Sequence, residues 1–193
     1  MSTDNIVAKT GNPEIDGMLM GRKWENNTVT YSFPDSLSDF PPGSNNYQDF
    51  RQAPSQFQDE FRYAANLIEK YTTDISFQYA GTDSADITVF VISGINNLGA
   101  ATGPGIGGGG SSIFLSSKMD WVKNSSTQNG LLTALHELGH IVGLKHPHEA
   151  WGDDVALPQE HDCIQYTVMT YRGYPENSDT SGHLMNMDVP STY

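Results

Sequence analysis

Cysteine occurs once in this sequence, at Cys163, so no disulfide can form within the chain and its stability must come from packing and from whatever it binds. Basic residues are scarce. Lys and Arg number 10 against 23 Asp and Glu, and a net charge of −13 sets up a field that repels nucleic acid and anionic membranes, so neither is an expected partner. No apolar run approaches the ~20 residues that cross a bilayer, and the first residues, Met1 to Gly11, lack the basic start and apolar stretch of a Sec signal. What is present is a 193-residue chain, enough for one substantial core, with 37% hydrophobic residues and a loop-forming load of 19 Gly and 10 Pro.

The order of patterned segments predicts an α+β domain with a mixed sheet. Thr28 to Phe33 alternates β-branched and aromatic residues before Pro34, as a strand running into a turn does. Ser36 to Gln52, rich in Pro, Ser, Asn and Asp, is expected as a surface loop. From about residue 54 to 71, Phe57, Phe61, Ala64, Ala65 and Ile68 recur at the three and four spacing of a helix with one buried face. Two β-rich runs follow, Ile75 to Tyr79 and Ala85 to Ile92, the second apolar enough for an interior strand. Gly103 to Gly110 invites a phosphate-loop reading, but no Gly-Lys-Ser/Thr ending follows and the next segment, Ser111 to Ser116, reads as a strand; a loop rimming a cleft is expected instead. A last helix is predicted from an N-cap at Ser126 or Thr127 to Val142, with Leu131, Leu135, Leu138 and Val142 on one stripe.

Inside that helix, HELGH sets His136 and His140 four apart, so successive turns carry both imidazoles on one face. HExxH alone occurs by chance in helices. Here it extends to HExxHxxGxxH, with Gly143 suited to the left-handed conformation that reverses a chain, His146 brought back toward the first two, and Pro147 ending any helix. Three neutral imidazoles leave one coordination position for water, the pattern of a catalytic rather than a closed metal site. Zinc suits imidazole and acts as a Lewis acid, though histidines alone also accept copper, nickel or cobalt. Glu137, next to the first ligand, is placed to act as general base on a peptide-bond-cleaving water and then as acid toward the leaving amine.

Downstream, Tyr166 to Tyr171 (YTVMTY) holds a methionine and a tyrosine two apart. Joined to HExxHxxGxxH it resembles the Met-turn of the metzincin superfamily, with Met169 as the floor beneath the metal. The HPH run at 146–148, TVMTY, and the segments IDGMLMGRKW (15–24), TVTYSFPDS (28–36), ADITVFV (85–91) and GHLMNMDVPSTY (182–193) look like a serralysin-type catalytic domain. Within metzincins, matrixins lack the Met-turn tyrosine, and astacins carry Glu where this chain has Pro147.

The resemblance implies an extracellular bacterial zinc endopeptidase acting on proteins or peptides. It implies a twisted five-stranded sheet, an active-site helix and a loop-rich C-terminal subdomain: one catalytic domain over 1–193, with an upper part of about 12–143 and a lower part of about 144–193. It makes Tyr171 a further metal ligand that swings away to stabilise the oxyanion, and Gly99, Ala100, Ala101 and Thr102 an edge strand lining the substrate cleft. Serralysins continue into a glycine- and aspartate-rich repeat domain that binds calcium. This sequence stops at Tyr193 without such repeats, so a truncated or processed catalytic part, or a second half on a separate chain, is expected. A proteinaceous inhibitor is a further expected partner.

Other residues are read more plainly. His148, His161 and His183 are expected to be exposed or hydrogen-bonded, Asp153 and Asp154 to solvate a loop, and Cys163 to be buried rather than to reach the metal. The alternative from another class is a noncatalytic binding module that keeps a zinc scaffold, against which stands the intact Glu137.

Overall fold

The computed structural model describes residues 6–40, 47–95, 98–104, 110–118, 129–150 and 154–173. Six strands and three helices are present among them: α1 (Pro13–Asp16), β1 (Thr28–Ser32), β2 (Arg51–Gln52), α2 (Ser55–Tyr71), β3 (Ser76–Tyr79), β4 (Ile87–Ile92), β5 (Gly99–Ala101), β6 (Ser111–Ser116) and α3 (Asn129–Ile141). The main sheet runs β3-β1-β4-β6-β5; the inner pairings are parallel and β5 alone on this path lies antiparallel, at the edge beside β6. This is the mixed-sheet α+β architecture that the segment pattern predicts, with the five strands that the resemblance implies.

Alternation along the strands divides the sheet into two faces. Val29 and Tyr31 of β1, Ile87, Val89 and Val91 of β4, and Ile113 and Leu115 of β6 join Phe57, Phe61, Ala64 and Ala65 of α2 and Ala134, Leu138 and Ile141 of α3 in one core. Both long helices therefore cover the same face. The opposite face carries a smaller aromatic layer: Phe90 and Phe114, paired across β4 and β6, meet edge to face at 5.2 Å, and Phe40, Tyr47 and Phe50 pack over Phe90.

That second layer corrects the reading of Ser36 to Gln52 as a plain surface loop. Leu37–Asp39 forms a 3-10 turn closed by a Ser36 and Asp39 capping box, Phe40 is buried, and Arg51–Gln52 pairs antiparallel with the far half of β4. The two-residue strand is exposed and too short for a periodic signal, and the segment's packing comes from aromatics scattered through polar sequence. The stripe of α3 is also rotated from the predicted one: Ala134, Leu138 and Ile141 are fully buried, whereas Leu131 and Leu135 are partly buried against the core and Val142 lies just past the helix, half-buried. The proposed N-cap at Ser126 or Thr127, the glycines at 105–109, Asp153, and the segment 182–193 with His183 lie outside the described residues.

An early segment of the chain is tied to the exit of α3. Met20 N–H donates to Gly143 O (2.8 Å), Lys145 N–H to Met18 O (2.9 Å), and the Trp24 indole N–H to Ile141 O (2.8 Å), which supplies one of the carbonyls that a helix end leaves unpaired. Upstream, Asp16 is buried and accepts from the Thr10 N–H (2.8 Å), the Thr10 hydroxyl (2.9 Å) and the Gly11 N–H (2.9 Å).

Candidate metal and catalytic site

The C-terminal half of α3 carries His136, Glu137 and His140, and all three are buried. Two residues past the end of α3 comes Gly143, whose φ of +98° is the left-handed turn the sequence calls for; a Cβ there would also lie 2.4 Å from Arg22 O. Through this turn His146 swings back beside the other two rings. Its Nε2 lies 3.1 Å from His140 Nε2 and 3.3 Å from His136 Nε2.

Each ring's other nitrogen is already engaged. His136 Nδ1 meets Val168 O at 2.8 Å, His140 Nδ1 meets Leu144 O at 2.9 Å, and His146 Nδ1 meets Glu149 Oε1 at 2.9 Å. Carbonyl and carboxylate oxygens only accept, so each Nδ1 must donate, and a neutral ring then has a bare lone pair on Nε2. Burial, together with repulsion between the rings, lowers the pKa of His136 to about 3 and of His140 to about 4, and burial lowers that of His146. Lone pairs converging without protons between them are matched by a cation. A tetrahedral zinc bound at ~2.0 Å would hold its nitrogen ligands about 3.3 Å apart, close to the separations found. The donor set therefore fits a divalent metal.

Tyr171 enters the same space. Its hydroxyl lies 2.6 Å from His146 Nε2, its ring stacks on His136 at 5.8 Å and 16°, and burial, then the nearby Glu137 and Glu149 carboxyls, push its pKa up. Met169 is fully buried beneath α3, and a Cβ on Gly139 would fall 2.3 Å from its sulfur. Only a glycine lets the methionine approach that closely. The turn bearing both residues is held by Asp162, buried, which accepts from the Thr170 hydroxyl (2.5 Å) and lies 3.3 Å from Arg172 Nε.

Glu137 is 2% exposed, burial raises its pKa to about 8, and its Oε2 has no hydrogen-bond partner among the described residues. Gly99, at the start of edge strand β5, lies directly over it: a Cβ there would meet Glu137 Oε1 at 2.9 Å. The predicted rim thus abuts the predicted base. Ala100 and Ala101 continue β5, and Thr102 closes it with an N–H bond to Ser112 O (3.2 Å) and a hydroxyl accepting from Ser112 N–H (3.0 Å).

The other expectations sort simply. Cys163 is buried and belongs to neither group of metal-capable side chains found among the described residues, His136 with His140 and His146, and His146 with His148 and Glu149. His161 bonds Glu14 (2.8 Å), Asp154 pairs with Lys9 (3.4 Å), and exposed His148 stacks on His146 at 5.6 Å and 11°. Sequence reading missed Glu149, Lys145 and Asp162. Glu149 had a signal, a carboxylate three residues past a ligand with proline between; Lys145 and Asp162 had none, since long-range folding alone buries them.

A family model described as Matrixin, of peptidase family M10, matches residues 23–152. This chain belongs to family M10. Over 133 residues it is 32% identical to "Matrilysin" of Rattus norvegicus, covering 69% of this chain and 49% of that protein, so the chain spans about half the length of the curated relative it matches. Among solved structures, that of myroilysin aligns with a TM-score of 0.44 and 16% identity over 65% of this chain and 52% of that one. The family match ends at residue 152, before Met169 and Tyr171, so it places the chain in M10 without separating the branches of that family.

Proposed function

We propose that this M10 chain is a zinc-dependent endopeptidase, with His136, His140 and His146 as metal ligands and Glu137 as general base. The observation that carries the reading is the Glu137 carboxyl, buried with one oxygen unpartnered, beside three convergent imidazole lone pairs. Burying such a group idle is costly, which disfavours a noncatalytic binding module. Zinc bound there would supply Lewis acidity, polarising a peptide carbonyl and acidifying a water.

The chain's own residues then do the rest. Glu137 takes the proton of the attacking water and passes it to the leaving amine. Tyr171, a further metal ligand at rest, donates its hydroxyl to the oxyanion as charge develops. Gly99, Ala100, Ala101 and Thr102 align an extended peptide along the β5 edge by main-chain hydrogen bonds, an arrangement that tolerates many side chains. Met169 is the floor of the site, and the cleft divides an upper part of about 12–143 from a lower part of about 144–193.

The serralysin-like branch is favoured by Pro147 and Tyr171 together. With it come secretion from a bacterial cell, protein substrates, a proteinaceous inhibitor as partner, and calcium held by a C-terminal part or separate chain beyond this sequence. Zinc-loaded protein should cleave casein or a quenched peptide in a chelator-sensitive way, and Glu137→Ala should keep zinc while losing cleavage. Full activity in that variant would reject Glu137 as base; zinc-loaded native protein without chelator-sensitive cleavage would reject the enzyme.

A further inference from the structure

The three histidines are not held alike. His136 and His140 give their Nδ1 protons to the backbone carbonyls of Val168 and Leu144, neutral acceptors fixed by the fold. His146 gives its proton to a carboxylate, Glu149 Oε1, at 2.9 Å, with both side chains largely buried. Glu149 is itself fixed by the short turn it closes: its N–H donates to His146 O (3.1 Å), and its carbonyl accepts from the buried Lys145 ammonium, which also donates to Val155 O (2.9 Å). Lysine, histidine and glutamate thus form one clip around Pro147, built after the left-handed turn at Gly143.

We infer that Glu149 is a positioning residue for the third metal ligand: it fixes the tautomer and ring orientation of His146 and, as an anion, makes that imidazole the strongest donor of the three. His146 needs this most. His136 and His140 are oriented by the helix they share, whereas His146 lies past its end and takes its orientation from the clip and from the Tyr171 hydroxyl at 2.6 Å. A charged acceptor at Nδ1 raises the basicity of Nε2, and outer partners of this kind commonly carry 10–100-fold in metal affinity.

The inference rests on the proposed zinc site, and zinc affinity measured by competition with a chromogenic chelator separates the two. Native chain is compared with Glu149→Ala, Glu149→Gln and, as a histidine control outside both metal-capable groups, His161→Ala. Glu149→Ala should bind zinc about 10–100-fold more weakly; Glu149→Gln, whose amide oxygen still accepts from Nδ1 without charge, should fall between it and native; His161→Ala should stay near native. In the metal-free protein, nitrogen-15 NMR should find His146 with its proton on Nδ1 in the native chain and in Glu149→Gln, and a tautomer mixture in Glu149→Ala. Native zinc affinity and an unchanged tautomer in folded Glu149→Ala would overturn the inference alone. Failure of the native chain to bind zinc would overturn the proposed function with it.

Discussion

At the scale of single residues the site is a set of groups held in protonation states that water would not give them. Glu137, with its pKa raised to about 8, stays protonated in the metal-free fold where the unfolded chain has lost the proton above about 4.5. Between those values the native state binds more protons, so this residue makes stability fall as pH rises through the window. His136 and His140, depressed to about 3 and 4, act oppositely: below about 6.5 the unfolded chain takes up protons that the native state refuses, and stability falls as pH drops. Urea titrations of the metal-free protein should therefore show Glu137→Gln gaining on native from pH 5 to 8 and no further above it. Tyr171→Phe keeps the ring stack on His136 and removes only the hydroxyl. Steady-state kinetics should place its loss in kcat, about 10²–10³-fold for one oxyanion donor, with KM little moved.

At the scale of elements, the C-terminal half of α3 and the turn that follows it are where local sequence and tertiary packing agree. The pair His136 and His140, Glu137 between them and the reversal at Gly143 were all legible, because helix periodicity and the left-handed preference of glycine are local rules. Met169 and Tyr171 were legible only through resemblance, since nothing local distinguishes a floor methionine from core packing. β2 and the Asp162 clamp were not legible at all: one is two residues long, and the other is a carboxylate whose burial depends on Thr170 and Arg172 arriving from a turn eight and ten positions on. The glycine at 139 shows how tightly the helix and the methionine turn fit. A methyl group there must displace the Met169 sulfur, 2.3 Å away, and Gly139→Ala should cost about 1–3 kcal/mol of stability as an overpacking change, despite alanine's better helix propensity. Thermal melts give the sign; a stabilised variant would mean that Met169 does not seat under the helix.

At the scale of the whole molecule, no disulfide braces the fold, so the metal is expected to carry a visible share of its stability. A ligand at 1,000 times its dissociation constant adds about 4 kcal/mol, which for a chain of this size is roughly 10 °C in Tm. Scanning calorimetry with and without chelator should show a drop of that order, reversed by zinc; an unchanged Tm would mean that the fold does not depend on an occupied site. No helix among the described residues is long and apolar enough to cross a membrane. The knot of hydrogen bonds joining Met18, Met20 and Trp24 to the end of α3 links residues as far as 117 apart in sequence. Contacts of such long sequence separation pay for loop closure before they are rewarded, so they form late. The exit of α3, and with it the placing of His146, therefore waits on the early segment as well as on the sheet, so an ion captured there would report that folding is finished rather than serve as the nucleus from which it begins.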